Sequence, residues 1–99
     1  MKTRTLRPIH PGRHLQEFIE EMEISEYRLA KDTGMDRRRV NLLIQGARNV
    51  TVDTALRLGR YFGQSPEFWL NLQRQYDLDS ARGLRQKIER AIRPLAAAA

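Results

Sequence analysis

The chain has 99 residues, no cysteine, 40% hydrophobic and 30% charged residues, and 18 Lys and Arg against 12 Asp and Glu, a formal net charge of +6. That length supports one small core rather than the two-lobed clefts of most cofactor enzymes. The lack of cysteine removes disulfides, thiolate metal sites and thiol nucleophiles together, and the basic balance, mostly arginine, favours a polyanionic partner.

Residues 1–10 carry Lys2, Arg4 and Arg7 without an acid and without apolar periodicity, so they read as a flexible basic arm. Pro11 opens a first helix in which Leu15, Phe18, Ile19 and Met22 share one face and Glu17, Glu20, Glu21 and Glu23 lie on the other. Ser25 caps a second helix, with Ile24 and Leu29 at the spacing of a hydrophobic staple, and Gly34 ends it after about two turns. Met35, Asp36 and Val40 repeat that grammar at once, predicting a third short helix that runs to Gln45 and Gly46.

Thr51 caps a fourth helix that buries Ala55, Leu58 and Phe62 and stops at Gly63. Ser65 and Pro66 open a fifth with Phe68, Trp69, Leu72 and Tyr76. Beyond Asp79, Leu84, Ile88, Ala91, Ile92 and Leu95 form a thin apolar stripe on a basic segment, a sixth helix that Gly83 and Pro94 interrupt at its ends. No segment alternates like a strand. The expected fold is all-α, a compact bundle of five to six helices, divided into the arm (1–10), a helix-turn-helix domain (11–78) and a C-terminal helical extension with a frayed alanine tail (79–99).

The pair spanning residues 25–46 has helix-turn-helix grammar. Ala30 suits a close helix crossing, and Gly34 supplies the positive φ of a tight turn. With Val40 and Leu43 facing the core, Arg37, Arg38, Asn41 and Gln45 face outward, and these residue types read base edges. Arg37 and Arg38 suit bidentate guanine contact or phosphate clamping, and Asn41 suits adenine. Arg39 either joins them or pairs with an acidic neighbour. Arg48, Asn49 and the Thr51 cap offer a phosphate site after the third helix, and Arg28 another on the second. Three adjacent cations at a helix N-terminus oppose the macrodipole, a local conflict that an anionic ligand would relieve. Phe68, Trp69, Leu72 and Tyr76 read as core, as a dimer interface, or as a mixture of the two.

Several alternatives find less support. His10 and His14 stand four apart, but His10 precedes Pro11 and no third ligand completes a site, so no metal and no cofactor are expected. There is no catalytic constellation, no glycine-rich phosphate cradle and no small-molecule site, so the chain does not read as an enzyme. No run is long enough to cross a membrane, and the expected compartment is the cytoplasm. A protein-interaction module with little specific DNA binding is the reading from another class.

The runs His10-Pro11-Gly12, Tyr27-Arg28-Leu29-Ala30-Lys31, Arg38-Arg39-Val40-Asn41, Thr54-Ala55-Leu56-Arg57-Leu58 and Tyr61-Phe62-Gly63, with the block from Ser65-Pro66-Glu67-Phe68-Trp69 through Leu70-Asn71-Leu72-Gln73 to Tyr76-Asp77-Leu78, resemble the HigA-type antitoxins of the Xre-like helix-turn-helix family. That resemblance covers about residues 9–82. It implies a lambda-repressor-like fold, a homodimer that represses its own operon on double-stranded operator DNA, and a cognate toxin, typically a RelE-like messenger RNA endonuclease. Some relatives of this kind stand alone as regulators. Glu26 departs from the glutamine often found there, which puts one phosphate contact in doubt, and the segment after Arg82 lies outside the resemblance.

Overall fold

The computed structural model describes residues 7–96, which form six helices and no strand. They are α1 (Pro11–Glu21), α2 (Glu26–Thr33), α3 (Arg37–Ile44), α4 (Val52–Phe62), α5 (Pro66–Ser80) and α6 (Arg82–Ala91). Most of the basic arm, residues 1–6, lies outside the described residues, as do residues 97–99 of the alanine tail; Arg7, Pro8 and Ile9 are exposed and non-helical.

Local chemistry sets most boundaries. Ser25 Oγ accepts from the Arg28 N–H at 3.0 Å, Asp36 Oδ1 from the Arg38 N–H at 3.0 Å, Thr51 Oγ1 from the Thr54 N–H at 3.2 Å and Ser65 Oγ from the Phe68 N–H at 3.3 Å. Each pairs one of the orphan donors of a helix start. Gly34 and Gly63 close α2 and α4 in the left-handed region, at φ 72° and 77°. The cap of α1 is His10, whose Nδ1 accepts from the Gly12 N–H at 2.9 Å.

The core gathers Leu15 and Ile19 of α1, Leu29 and Ala30 of α2, Met35 of the turn, Val40 and Leu43 of α3, Val50, Ala55 and Leu58, and Trp69 of α5. Trp69 has no exposed surface and donates its Nε1–H to Gln64 Oε1 at 2.7 Å. Phe18, Phe62 and Phe68 surround it with ring centroids 5.3 to 6.3 Å away. Truncating such a side chain to alanine costs about 3–5 kcal/mol.

Four expectations need correction. Met22 does not share the core face of α1; it is the C-cap residue and stands exposed. Trp69 is wholly enclosed by its own chain, so it cannot also touch a second copy. The third helix ends at Ile44 and uses Gln45 as its cap. Gly83 does not interrupt α6, which runs through it and stops at Ala91, where continuing would drive the Pro94 ring against the Arg90 carbonyl. None of the α6 residues is buried, and Leu84, Ile88, Ile92 and Leu95 are all exposed.

Candidate nucleic-acid interface

The interface is built from the α2–turn–α3 unit. Ala30 and Leu29 are buried beneath the crossing, Met35 fills the turn, and Val40 and Leu43 anchor the inner side of α3 at 0% and 1% exposure. Two long-range contacts fix α3 from outside the pair. Gly12 of α1 lies against the Leu43 carbonyl with no room for a Cβ. Arg39 turns back to α4, where its Nη2 donates to Asp53 Oδ1 at 2.7 Å and to Thr54 Oγ1 at 2.6 Å.

The same Asp53 oxygen accepts from Arg57 Nε at 2.7 Å, and Arg57 Nη1 donates to the Thr33 carbonyl at 2.8 Å. Thus α4 caps the end of α2 and ties down the start of α3 through one carboxylate. The Arg57 and Arg39 guanidinium groups hold the Asp53 carboxyl below the usual carboxylate range. Arg39 therefore takes the second of the two roles read from the sequence. With Asp36 as the cap and Asp53 on Arg39, the cationic start of α3 is partly balanced from within the fold.

The remaining side chains spread over the outer face. Arg38 is exposed and makes no ion pair among the described residues. The Arg37 guanidinium sits 5.8 Å from the ring centroid of the exposed Tyr27, a cation–π contact. Asn41, half-buried one turn on, donates its Nδ2–H to Glu26 Oε1 at 3.2 Å, and Gln45 Nε2 donates to Asn41 Oδ1 at 3.0 Å.

Arg48 and Asn49 are exposed on the loop between α3 and α4. The buried Gln73 of α5 steadies this loop, its Oε1 accepting from the Val50 N–H at 2.7 Å. Thr51 caps α4 at the loop's end. Arg28 is exposed but paired with Asp32 at 2.9 Å; the Tyr61 hydroxyl donates to the same carboxylate oxygen at 2.6 Å, and Tyr61 and Arg28 together hold the Asp32 carboxyl below its ordinary range.

On α5, Phe68 is exposed and Leu72 and Tyr76 are half-buried. His10 packs edge-on against Tyr76 at 4.9 Å. Among the described residues no group of three His, Cys, Asp or Glu side chains gathers to hold a metal.

Sequence reasoning gave no role to four residues that shape this site, Tyr27, Asp53, Arg57 and Gln73, and missed the contact made by Glu26. Tyr27, Arg57 and Gln73 stood only within the runs that carry the resemblance, and Glu26 only as a departure from glutamine; its turn to Asn41 is a contact that local patterning could not foresee.

The helical fold agrees with the comparisons. Residues 14–67 match the family model for the Cro/C1-type helix-turn-helix DNA-binding domain. Antitoxin HigA-1 of Vibrio cholerae is 36% identical over 96% of this chain and 90% of its own length. A HigA-family addiction module antidote protein from Coxiella burnetii superposes with a TM-score of 0.83 at 45% identity, covering 90% of this chain and 99% of that one. Antitoxin HigA of Pseudomonas aeruginosa, solved with the higBA promoter, gives a TM-score of 0.83 at 42% identity over 90% of this chain and 99% of its own.

Proposed function

Because this chain belongs to the HigA family of antitoxins, built on a Cro/C1-type helix-turn-helix DNA-binding domain, we propose that it is a dimeric, sequence-specific repressor that binds double-stranded operator DNA at its own promoter and neutralises a cognate RelE-like toxin protein. The observation that carries this is the outer face of α3. There Arg37, Arg38, Asn41 and Gln45 stand over a helix anchored by Val40 and Leu43. A helix so presented enters the major groove with its N-terminal residues on base edges. The Pseudomonas aeruginosa relative solved with promoter DNA supports the same ligand.

Each side chain then has a task. Arg37 and Arg38 take guanine edges or phosphate, and Asn41 and Gln45 read the bases one turn on. Arg48, Asn49 and the Thr51 cap, steadied through Val50, hold phosphate, and Arg28 reaches phosphate by exchanging Asp32 for it. Arg39 serves by holding α3 against α4. A second copy sets recognition helices about 34 Å apart on one side of the duplex, with Phe68, Leu72 and Tyr76 as the contact offered on α5.

The family comprises DNA-binding antitoxins and regulators rather than enzymes, and no metal, cofactor or small-molecule substrate enters the scheme. The chain works in the cytoplasm, beside its operator; no helix among the described residues is long and apolar enough to cross a membrane.

The test is fluorescence anisotropy of a duplex from the gene's own upstream region against a scrambled duplex, over a salt series. Palindrome-dependent binding that persists at moderate salt is expected, and Arg38→Ala and Asn41→Ala should each weaken it by roughly 1–3 kcal/mol while the fold persists. Equal, salt-labile binding to both duplexes would overturn the proposal.

A further inference from the structure

The first turn of α2 carries a carboxylate close to the arginine-rich start of α3. Glu26 is half-buried, and none of the ion pairs among the described residues uses it. Its Oε1 instead accepts from Asn41 Nδ2 at 3.2 Å across the α2–α3 crossing, and Asn41 Oδ1 accepts from Gln45 Nε2 at 3.0 Å.

An ionised carboxylate can only accept, so it dictates which end of the Asn41 amide faces it. The nitrogen must point to Glu26, and the carbonyl must point along α3 to Gln45. One Nδ2–H and one Oδ1 lone pair remain, which are the donor and acceptor needed for bidentate contact with the N7 and N6 of adenine. The same negative charge repels phosphate, so Glu26 opposes general attraction to DNA while it fixes the reading amide.

We infer that Glu26 is a specificity-determining positioning residue, one that locks the Asn41 amide in a single orientation and suppresses binding to unrelated duplex. This rests on the reading of Asn41 as a base contact. Glutamine at this position would remove both effects, because its own amide either donates or accepts and so leaves the Asn41 amide free to turn, and because it carries no charge.

The experiment uses the full chain and the duplex that the wild-type protein selects from a randomised library. Wild type, Glu26→Gln and Asn41→Ala are each titrated against a panel in which every base pair of that duplex is changed singly. A good bidentate contact discriminates by about 5- to 150-fold. Asn41→Ala should flatten that discrimination at one base pair of each half-site. Glu26→Gln should reduce it at the same base pair by at least about threefold, with affinity for an unrelated duplex raised.

If Asn41→Ala flattens a base pair and Glu26→Gln leaves it intact, the positioning role is refuted and the reading of Asn41 survives. If Asn41→Ala flattens none, both fall together. A uniform loss of affinity without a change in preference would also refute the inference, since that is what a merely structural role produces. Glu26→Ala, checked for native helicity and melting, serves as the second variant and should lose the same base-pair preference.

Discussion

The Gln73 carboxamide on α5 accepts a hydrogen bond from the Val50 N–H at 2.7 Å, and both residues are buried. Through this contact a helix remote from the α2–α3 pair controls the loop that carries Arg48 and Asn49. Gln73 is itself held by its Nε2–H, which donates to Asp77 Oδ1 at 3.0 Å. Replacing Gln73 with leucine keeps the bulk and strands the Val50 donor, which costs about 1–3 kcal/mol. Hydrogen exchange should accelerate at Val50 and its neighbours in this variant. Unchanged protection there would mean that the loop is held by other contacts.

Asp53 holds the Arg39 guanidinium against α4. Asp53→Asn removes the charge that draws Arg39 to α4, so Arg39 becomes available to phosphate and the salt dependence of duplex binding should steepen by about one in log–log slope. The pH behaviour follows from the sign of the shift. The folded-state pKa lies below the ordinary carboxylate value, so this contribution to stability is present above that ordinary value and is lost as pH falls through the lowered one. Acid titration followed by circular dichroism should find Asp53→Asn less sensitive to pH than wild type in that range. An unchanged salt slope together with an unchanged acid profile would remove Asp53 from this role.

The boundaries of the helices were legible because they are local. Ser25, Asp36, Thr51 and Ser65 each satisfy a backbone donor two or three residues away, and Gly34 and Gly63 stop helices through their own φ. The outward face of α3 was legible for a related reason, since two anchors, Val40 and Leu43, fix the rotation of a two-turn helix. What was not legible depends on partners far along the chain. Periodicity placed Met22 with Leu15, but only the tertiary fold decides where α1 leaves the core. It grouped Phe68 with Trp69, though one faces outward and the other is fully enclosed. Asn41 meets Glu26 and Arg39 meets Asp53 across the packed helices, and Gln73 meets Val50 across 23 positions. No spacing rule reports such pairs.

His10 couples the fold to pH near neutrality. Its Nδ1 caps α1, and its Nε2 is buried without a hydrogen-bond partner, with Asn49, Asp77 and the Arg48 backbone nearby. Burial lowers its pKa from the ordinary 6.5, and those neighbours only partly offset the effect. The unfolded chain therefore takes up the proton first. Stability is full above the ordinary value and declines as pH falls through it toward the lowered one, because the unfolded imidazole is protonated there while burial keeps the folded one neutral. His10→Asn keeps a capping side chain that does not titrate. Denaturant melts between about pH 7 and pH 5 should show wild type losing more stability than this variant, and parallel curves would exclude His10 as the sensor.

Gly12 and Gly83 are both helical, and one methyl group should act on them in opposite directions. A Cβ at Gly12 would collide with the Leu43 carbonyl, a backbone atom that cannot rotate away, so Gly12→Ala must push α1 off α3. Overpacking of this kind costs about 1–3 kcal/mol or more, and each kcal/mol lowers the melting midpoint of a domain this size by about 4–8 °C. Because the proposed reading face lies on α3, duplex affinity should fall with stability. At Gly83 a Cβ meets nothing within 4 Å. Gly83→Ala gains helix propensity, worth roughly 0.5–1 kcal/mol locally. That gain should appear as added helicity in far-ultraviolet circular dichroism with little change in the melting midpoint, since α6 buries no residue against the core. A Gly12→Ala protein that melts like wild type would contradict the close approach of α1 to α3 on which the placement of α3 depends.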